Sequence, residues 1–123
     1  MNINIDYSSD LPMYEQIKIC IKENILLEKV KFNEALPSVR QLSKELNIST
    51  ITTKRAYMDL EREGYIYTIS GKGTFVNSVD TTKLLNEKRD KLIDEYKIKV
   101  LEIKEAGVSK ESIIKIIDEL YRG

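Results

Sequence analysis

Residues 37–64 read PSVRQLSKELNISTITTKRAYMDLEREG and contain two helix patterns separated by one short turn. Ser38 is a good N-cap for the first pattern, whose apolar face ends near Asn47. Ser49 caps the second pattern, and Gly64 closes it as the residue after the helix. Side chains at i, i+3, i+4 and i+7 of the second helix are expected to face the core. These residues are Thr53, Ala56, Tyr57 and Leu60.

An amphipathic helix precedes this region and a β-hairpin follows it. Apolar residues at helical spacing predict a first helix that starts around Ser8–Asp10 and runs to about Glu28. Residues 65–69 and 74–76 are rich in strand formers and flank a flexible Gly-containing turn, which predicts a hairpin. Three helices and a hairpin in this order, with a tight turn between helices two and three, indicate a winged helix-turn-helix.

The remaining residues predict a helical tail. Thr81 or Thr82 begins a long helix that ends at Ala106-Gly107, and Ser109 caps a final helix. We therefore expect a mainly α fold with a small β-hairpin. It consists of a winged helix-turn-helix DNA-binding domain in residues 1–77 and a two-helix dimerisation tail in residues 78–123.

The apolar stripes of this tail need a covering surface. Two helices in some 45 residues seldom form a stable core alone. A second copy of the chain would bury the stripes, and the alternative is that the tail folds back onto its own winged domain. We expect a homodimer. The candidate dimerisation residues are Leu85, Leu92, Tyr96, Val100, Ile113, Ile117 and Leu120.

Charge is informative locally and uninformative globally. The chain has 41% hydrophobic and 33% charged residues, which is a globular composition, and its 20 basic and 20 acidic residues cancel. Between Pro37 and Arg55, however, four basic residues stand against Glu45 alone, for a local charge of +3. A basic segment on a neutral protein favours a localised DNA contact over non-specific coating of DNA.

The composition argues against catalysis and metal binding. The chain has no histidine and one cysteine, Cys20, so we expect no metal site and no cofactor. Without histidine, the usual general base and the Ser-His and Cys-His nucleophile pairs are absent, and we do not expect an enzyme. Cys20 lies in an apolar helical pattern, which indicates a buried structural thiol, with a redox sensor as the alternative. Lacking a secretory signal and a bilayer-spanning stretch, the protein is expected to be soluble and cytoplasmic.

Several motifs in order resemble the GntR family of bacterial regulators. They are P-M-Y-E-Q-I at residues 12–17, L-P-S-V-R-Q-L-S at 36–43, A-Y at 56–57, L-E-R-E-G at 60–64 and G-K-G-T-F-V at 71–76. The short two-helix tail is similar to that of the YtrA-type subgroup, which implies a dimer. One departure is the connection after helix one, where the family usually has Pro-Gly and this chain has Phe32-Asn33. Asn tolerates the turn geometry, so the difference concerns loop shape.

The first candidate contacts to DNA are hydroxyl groups. The recognition helix is expected over residues 50–63, with its N-terminal end in the major groove. Ser38, Ser49, Thr50 and Thr52 can donate hydrogen bonds to phosphates or base edges. For Ser38 and Ser49 the alternative is N-capping alone, and for Thr52 it is a solvated helix face.

Basic side chains and the wing complete the candidate interface. The resemblance implies that Arg40 contacts DNA, and its planar fork suits guanine or phosphate, with guanine the stronger choice; the alternative is a surface salt bridge with Glu45 or another acid. Lys54 and Arg55 are candidate phosphate or groove contacts, with Arg55 nearer the core face. The wing has two candidate residues at its tip, which can approach the minor groove. These residues are Gly71 and Lys72. The alternative is an ordinary Gly-rich hairpin turn with a solvated lysine.

We therefore expect a sequence-specific transcription regulator, a repressor that binds a pseudo-palindromic operator as a homodimer. The alternative is a winged-helix interaction module that binds a partner protein instead of DNA. No membrane partner is expected. An effector molecule, the target genes and the choice between repression and activation are left open by the residues.

Overall fold

The computed structural model describes all residues 1–123, which form five helices and one antiparallel hairpin. The helices are α1 (Met13–Leu26), α2 (Val39–Leu46), α3 (Thr50–Arg62), α4 (Thr81–Glu105) and α5 (Lys110–Arg122). The strands are β1 (Ile66–Ile69) and β2 (Gly73–Val76). The expected mainly α fold with a winged helix-turn-helix is confirmed. The chain divides into two compact units, Met1–Leu84 and Leu85–Gly123. No helix combines the length and the apolar character that a membrane span requires.

The core of the first unit lies between α1 and α3. Residues four apart on α1 share one helix face, and Ile17, Ile21 and Ile25 are all buried on it. The predicted core face of α3 is buried as well, and Leu60 has no exposed surface. α3 also packs against α2 and β1, so it is the central element of the unit. The first residue of the core that lies beyond the hairpin is Leu84, which is 6% exposed.

The ends of α2 and α3 follow from short-range chemistry. The hydroxyl of Ser38 accepts the Gln41 N–H at 3.1 Å, and the Gln41 side chain accepts the Ser38 N–H at 3.0 Å, which forms a capping box. Asn47 ends α2 in the left-handed conformation, with φ +53°. Ser49 then caps α3, which ends before Gly64 at φ +88°.

The first helix begins later than its sequence pattern indicated. Ser8 lies in a turn in which the Asp6 carboxylate accepts its N–H at 3.0 Å, and α1 starts only at Met13, after Pro12. The serine and aspartate side chains here form hydrogen bonds with residues two positions away in the chain. Such bonds stabilise a turn as readily as they stabilise the start of a helix. The expected start around Ser8–Asp10 was therefore wrong by a few residues.

Residues 2–6 form an extended segment along α1, which we call the N-terminal strap. The buried side chain of Gln16 accepts the Asp6 N–H at 2.8 Å and donates to the Asp6 carbonyl at 3.1 Å. The buried Asn24 amide donates to the Asn2 carbonyl at 2.9 Å. Cys20 lies under the strap, 3.7 Å from the Asn4 carbonyl, and is half-buried. The thiol is thus less enclosed than its helical pattern indicated.

The hairpin has a third extended partner. Ile66 pairs with Val76 at the buried end of the two strands. On the other side of β2, Leu36 donates to the Thr74 carbonyl at 2.9 Å, and Asn33 donates to the Val76 carbonyl at 2.9 Å. The connection after α1 therefore extends the sheet, which its mixed composition did not indicate.

The second unit consists of two helices with exposed apolar side chains. Gly107, at φ +86°, follows α4, and the Val108 N–H donates to the Ile103 carbonyl at 3.3 Å, so the helix ends as expected. The Ser109 hydroxyl accepts the Ser112 N–H and caps α5. The large apolar side chains that are exposed on this unit are Leu85, Leu92, Ile93, Tyr96, Ile98, Leu101, Val108, Ile114, Ile116, Leu120 and Tyr121.

Candidate nucleic-acid interface

A buried hydrogen bond sets α2 against α3. The Ser43 hydroxyl donates to the Thr53 hydroxyl at 2.8 Å, and both side chains are buried. The Ile48 N–H donates to the Ser43 carbonyl at 3.0 Å and closes the turn between the helices. The Ser43 hydroxyl also lies 3.5 Å from the Ser49 carbonyl, so both of its partners belong to α3 or its N-cap, and the contact helps to fix the position of α3 against α2. Sequence reasoning placed Thr53 in the core and overlooked Ser43.

A second hydrogen bond ties α3 to the start of α2. The Tyr57 hydroxyl donates to the Pro37 carbonyl at 2.6 Å. Burial, and then the charge of Glu45, raises the pKa of Tyr57, so its hydroxyl stays a proton donor. This hydrogen bond from the buried face of α3 thereby helps to fix the N-terminal end of α2.

The candidate hydroxyls lie at these two helix starts. Ser38, Ser49 and Thr50 are exposed, and Thr52 is half-buried. The Ser38 and Ser49 hydroxyls each accept a backbone N–H as caps. The Ser49 and Thr52 hydroxyls also lie 3.0 Å apart in a mutual hydrogen bond. Because a hydroxyl has one donor and two acceptor sites, a cap can still share a contact with a phosphate.

The basic candidate residues differ in whether their side chains contact other residues of the protein. Arg40 and Lys54 are exposed, and Arg40 forms no ion pair with Glu45. Arg55 is exposed too, but its guanidinium carbon lies 3.8 Å from the centre of the Tyr14 ring. A guanidinium stacked on an aromatic face keeps its edge donors available. Arg55 is therefore held against α1, whereas Arg40 and Lys54 project freely.

The wing presents its turn to solvent. Gly71 and Lys72 are both exposed, and the Lys72 N–H donates to the Ile69 carbonyl at 2.9 Å. Gly71 has φ +78°, a left-handed conformation that suits glycine. Below the turn, the Tyr67 and Phe75 rings stack with centroids 5.6 Å apart, which stiffens the hairpin.

One exposed residue of α3 escaped the sequence reasoning. Ile51 is 80% exposed in the first turn of the helix. At 100° per residue it lies about 180° from Leu60, directly opposite the buried face. The angle alone could have placed it on the outer surface with Lys54 and Arg55, but an isoleucine is usually assigned to a core.

An ion cluster joins the far end of α3 to α1. The nearly buried Lys18 ammonium lies 3.4 Å from Asp59 and 3.0 Å from Glu63, and Glu63 also lies 3.6 Å from Lys22. Arg62 contacts Asp59 at 2.9 Å. The carboxylates of the cluster neutralise the charge of the nearly buried Lys18. The cluster lies away from the first turn of α3.

The cluster shifts two pKa values in opposite directions. Burial by itself raises the pKa of Asp59, but the hydrogen bond and charge of Lys18, and then those of Arg62, outweigh it and hold that pKa below 3.8. Burial lowers the pKa of Lys18, but the hydrogen bond and charge of Glu63 outweigh it, with contributions from Glu15 and Asp59, and raise that pKa above 10.5.

These shifts predict a pH-dependent contribution to stability. A carboxylate with a lowered pKa in the folded state stabilises the fold above its unfolded pKa, and the contribution is lost as pH falls through the folded pKa. We expect Asp59→Asn to lower the Tm at neutral pH, and the difference from wild type to close as pH falls below 3.8. Thermal unfolding across pH checks this, with exposed Asp10→Asn as the control. A difference that stays constant with pH would contradict the assignment.

Residues 13–76, from the start of α1 to the end of β2, match the family model described as bacterial regulatory proteins, gntR family. The chain belongs to the gntR family. The matched region contains every element that presents the candidate DNA contacts, from the first helix to the wing.

Relatives of this gntR-family chain extend the match to the tail. It is 36% identical to the HTH-type transcriptional repressor YtrA of Bacillus subtilis, over 96% of this chain and 91% of that protein. The crystal structure of a transcriptional regulator from Oenococcus oeni has a TM-score of 0.74 and 30% identity, and covers 95% of this chain and 97% of that one. AraR(DBD) in complex with operator ORX1 has a TM-score of 0.55 and 28% identity, and covers 62% of this chain and 95% of that one.

The tail of the gntR-family chain carries the candidate dimerisation residues at two levels of exposure. Leu92, at 52%, and Leu120, at 73%, are well exposed, together with Leu85 and Tyr96. The other three are half-buried: Val100, Ile113 and Ile117. The exposed members are free to meet a second chain, and the half-buried ones have part of their surface covered already.

Proposed function

We propose that this chain is a homodimeric transcriptional repressor that binds a pseudo-palindromic DNA operator. The observation that carries the proposal is the start of α3. Its first turn exposes Thr50 and Ile51, has no acidic residue and is followed by Lys54 and Arg55, inside a fold that belongs to a family of bacterial regulators. The partial positive charge of a helix N-terminus adds to these side chains and favours phosphate.

The proposed interface comprises three exposed parts of residues 1–77. The start of α3 enters the major groove, where side chains can distinguish all four base pairs. Arg40 on α2 reads guanine or contacts phosphate, and Lys72 at the wing contacts the backbone beside the minor groove. The operator complex of AraR(DBD) supports this use of the fold, because that DNA-bound domain superposes over 95% of its own length on 62% of this chain.

The tail, residues 78–123, is proposed to pair two copies. Its two helices expose several large Leu, Tyr and Ile side chains, and exposed apolar patches commonly mark protein–protein contacts. Two-fold pairing would give two recognition helices, so the operator is expected to have half-sites about one helical turn apart. The chain is proposed to act by occupying DNA and not by catalysis. Membership of the gntR family favours this function over the partner-protein module considered above.

The proposal is tested by selecting genomic DNA fragments on the purified protein. At about 150 mM salt non-specific binding is weak, so enriched fragments report sequence recognition. We expect a short inverted repeat, and a reporter gene placed behind it should be silenced when the protein is present. Folded protein that enriches no sequence, or a repeat whose occupancy leaves the reporter unchanged, would count against the proposal.

Arg40 and Lys72 are expected to differ in what their removal does. Arg40→Ala should cost about 1–3 kcal/mol of binding at one base position and relax the preference there. Lys72→Ala should weaken binding to all sequences alike and reduce the salt slope by about one. Binding titrations on the operator and on single-base variants at several salt concentrations measure both effects. If the two variants bound as wild type does, the assigned contacts would be incorrect.

A further inference from the structure

Ile51 is the one large apolar side chain at the tip of the proposed DNA-reading surface. It is 80% exposed, more than the next exposed apolar residues of the first unit, Phe32 at 60% and Tyr7 at 59%. Leaving an isoleucine in water forfeits the free energy of burying it, so a covering surface in the bound state would be favourable. Single exposed apolar residues are common, however, so the argument depends on position.

Ile51 lies in the first turn of α3, on the side of the helix opposite the core. Thr50 and Thr52 flank Ile51 along the chain, and Lys54 and Arg55 lie one turn further on the same side. The surroundings of Ile51 are therefore polar and basic, which suits a polyanion better than an apolar protein surface. A helix presented in this way places its N-terminal residues against base edges.

Base edges in the major groove offer one apolar group. Adenine, guanine and cytosine present hydrogen-bond donors and acceptors there, whereas thymine adds its C5 methyl group. An isoleucine cannot form a hydrogen bond, so it gains by covering that methyl and loses by facing a polar edge, which it would leave unpaired. We propose that Ile51 determines specificity by packing against the C5 methyl of one thymine in each half-site.

This inference rests on the proposed function and is tested on the selected operator. Each thymine is replaced in turn by uracil, which keeps the base pair and removes only the methyl group. For wild type, uracil at one particular thymine position should weaken binding about fourfold when one half-site carries it. Binding should weaken about 16-fold when both half-sites carry it. All other thymines should tolerate uracil with little change.

The same scan on variants assigns the effect to the side chain. Ile51→Ala should bind the thymine and uracil operators within about twofold of each other, because the contact that uses the methyl is gone. Met58→Ala is the matched control: Met58 is 57% exposed on the same helix, about 10 Å further along its axis. It should retain the uracil profile of wild type. Circular dichroism should show all three proteins equally folded, since both side chains are exposed.

Two results would overturn the inference, and they are distinguishable from failure of the proposed function. Either wild type is indifferent to uracil at every thymine, or Ile51→Ala keeps the sensitivity of wild type. In both cases the operator is still bound, so only the role of Ile51 is lost. If wild type binds no operator at all, the proposed function fails and the inference fails with it.

Discussion

Leu92→Glu is expected to separate the dimer into monomers and to weaken operator binding by about 10²–10⁴-fold. Leu92 is 52% exposed on α4, in the middle of the proposed pairing surface. A carboxylate there would have to lose its hydration against apolar side chains of the second chain, which is strongly unfavourable. Without pairing, each half-site binds alone and the gain from a tethered second contact is lost.

Light scattering after size-exclusion chromatography measures the mass, and a titration of the operator measures the affinity. Asn86→Glu is the matched control, because it adds the same charge to the same helix at an exposed polar position. The control should remain dimeric and bind as wild type does. A Leu92→Glu protein that stays dimeric would show that the pairing surface lies elsewhere; a monomer that binds the operator with full affinity would show that pairing is not needed.

Leu60→Ala is expected to lower the free energy of unfolding by about 2–5 kcal/mol, because it leaves a cavity at the centre of the core. Leu60 has no exposed surface and lies on α3, the helix that packs against α1, α2 and β1. In a domain of this size each kcal/mol corresponds to about 4–8 °C in Tm. Part of the protein should therefore lose its folded recognition helix at temperatures that wild type tolerates.

Thermal and urea unfolding at one fixed protein concentration measure the effect, since the proposed dimerisation would also contribute to apparent stability. Met58→Ala again provides the comparison, because it removes a large side chain from the exposed side of the same helix. We expect it to change stability by less than about 0.5 kcal/mol. Equal losses for the two variants would mean that the core cavity at Leu60 does not dominate the response, since alanine has the higher helix propensity at both positions.

The features of this fold that could be read from the sequence are short-range. Ser38, Ser49 and Ser109 each cap a helix by accepting the N–H of the residue three positions further on, so their effect can be predicted from the local sequence. The buried face of α3 follows equally from helical spacing. The order of these elements then indicated the winged helix-turn-helix.

The features that could not be read are contacts between distant parts of the chain. Asn24 bonds to Asn2 across 22 residues, and Lys18 pairs with Asp59 across 41, and neither contact has a periodic signature. The sequence placed Arg55 nearer the core face of α3 but gave no sign of its partner, the ring of Tyr14. The proposed DNA contacts could therefore be assigned to elements of the fold, whereas their long-range partners became visible only in the structure.

The N-terminal strap has a consequence for dissecting the protein. Gln16 and Asn24 are 8% and 4% exposed, and their amides are satisfied largely by backbone atoms of residues 2–11. A fragment cut to the family-matched region, residues 13–76, would lose these hydrogen bonds, each worth about 0.5–1.5 kcal/mol, and would expose the amides to water. A fragment meant to isolate the winged helix-turn-helix unit should therefore include all residues from Asn2 to Leu84.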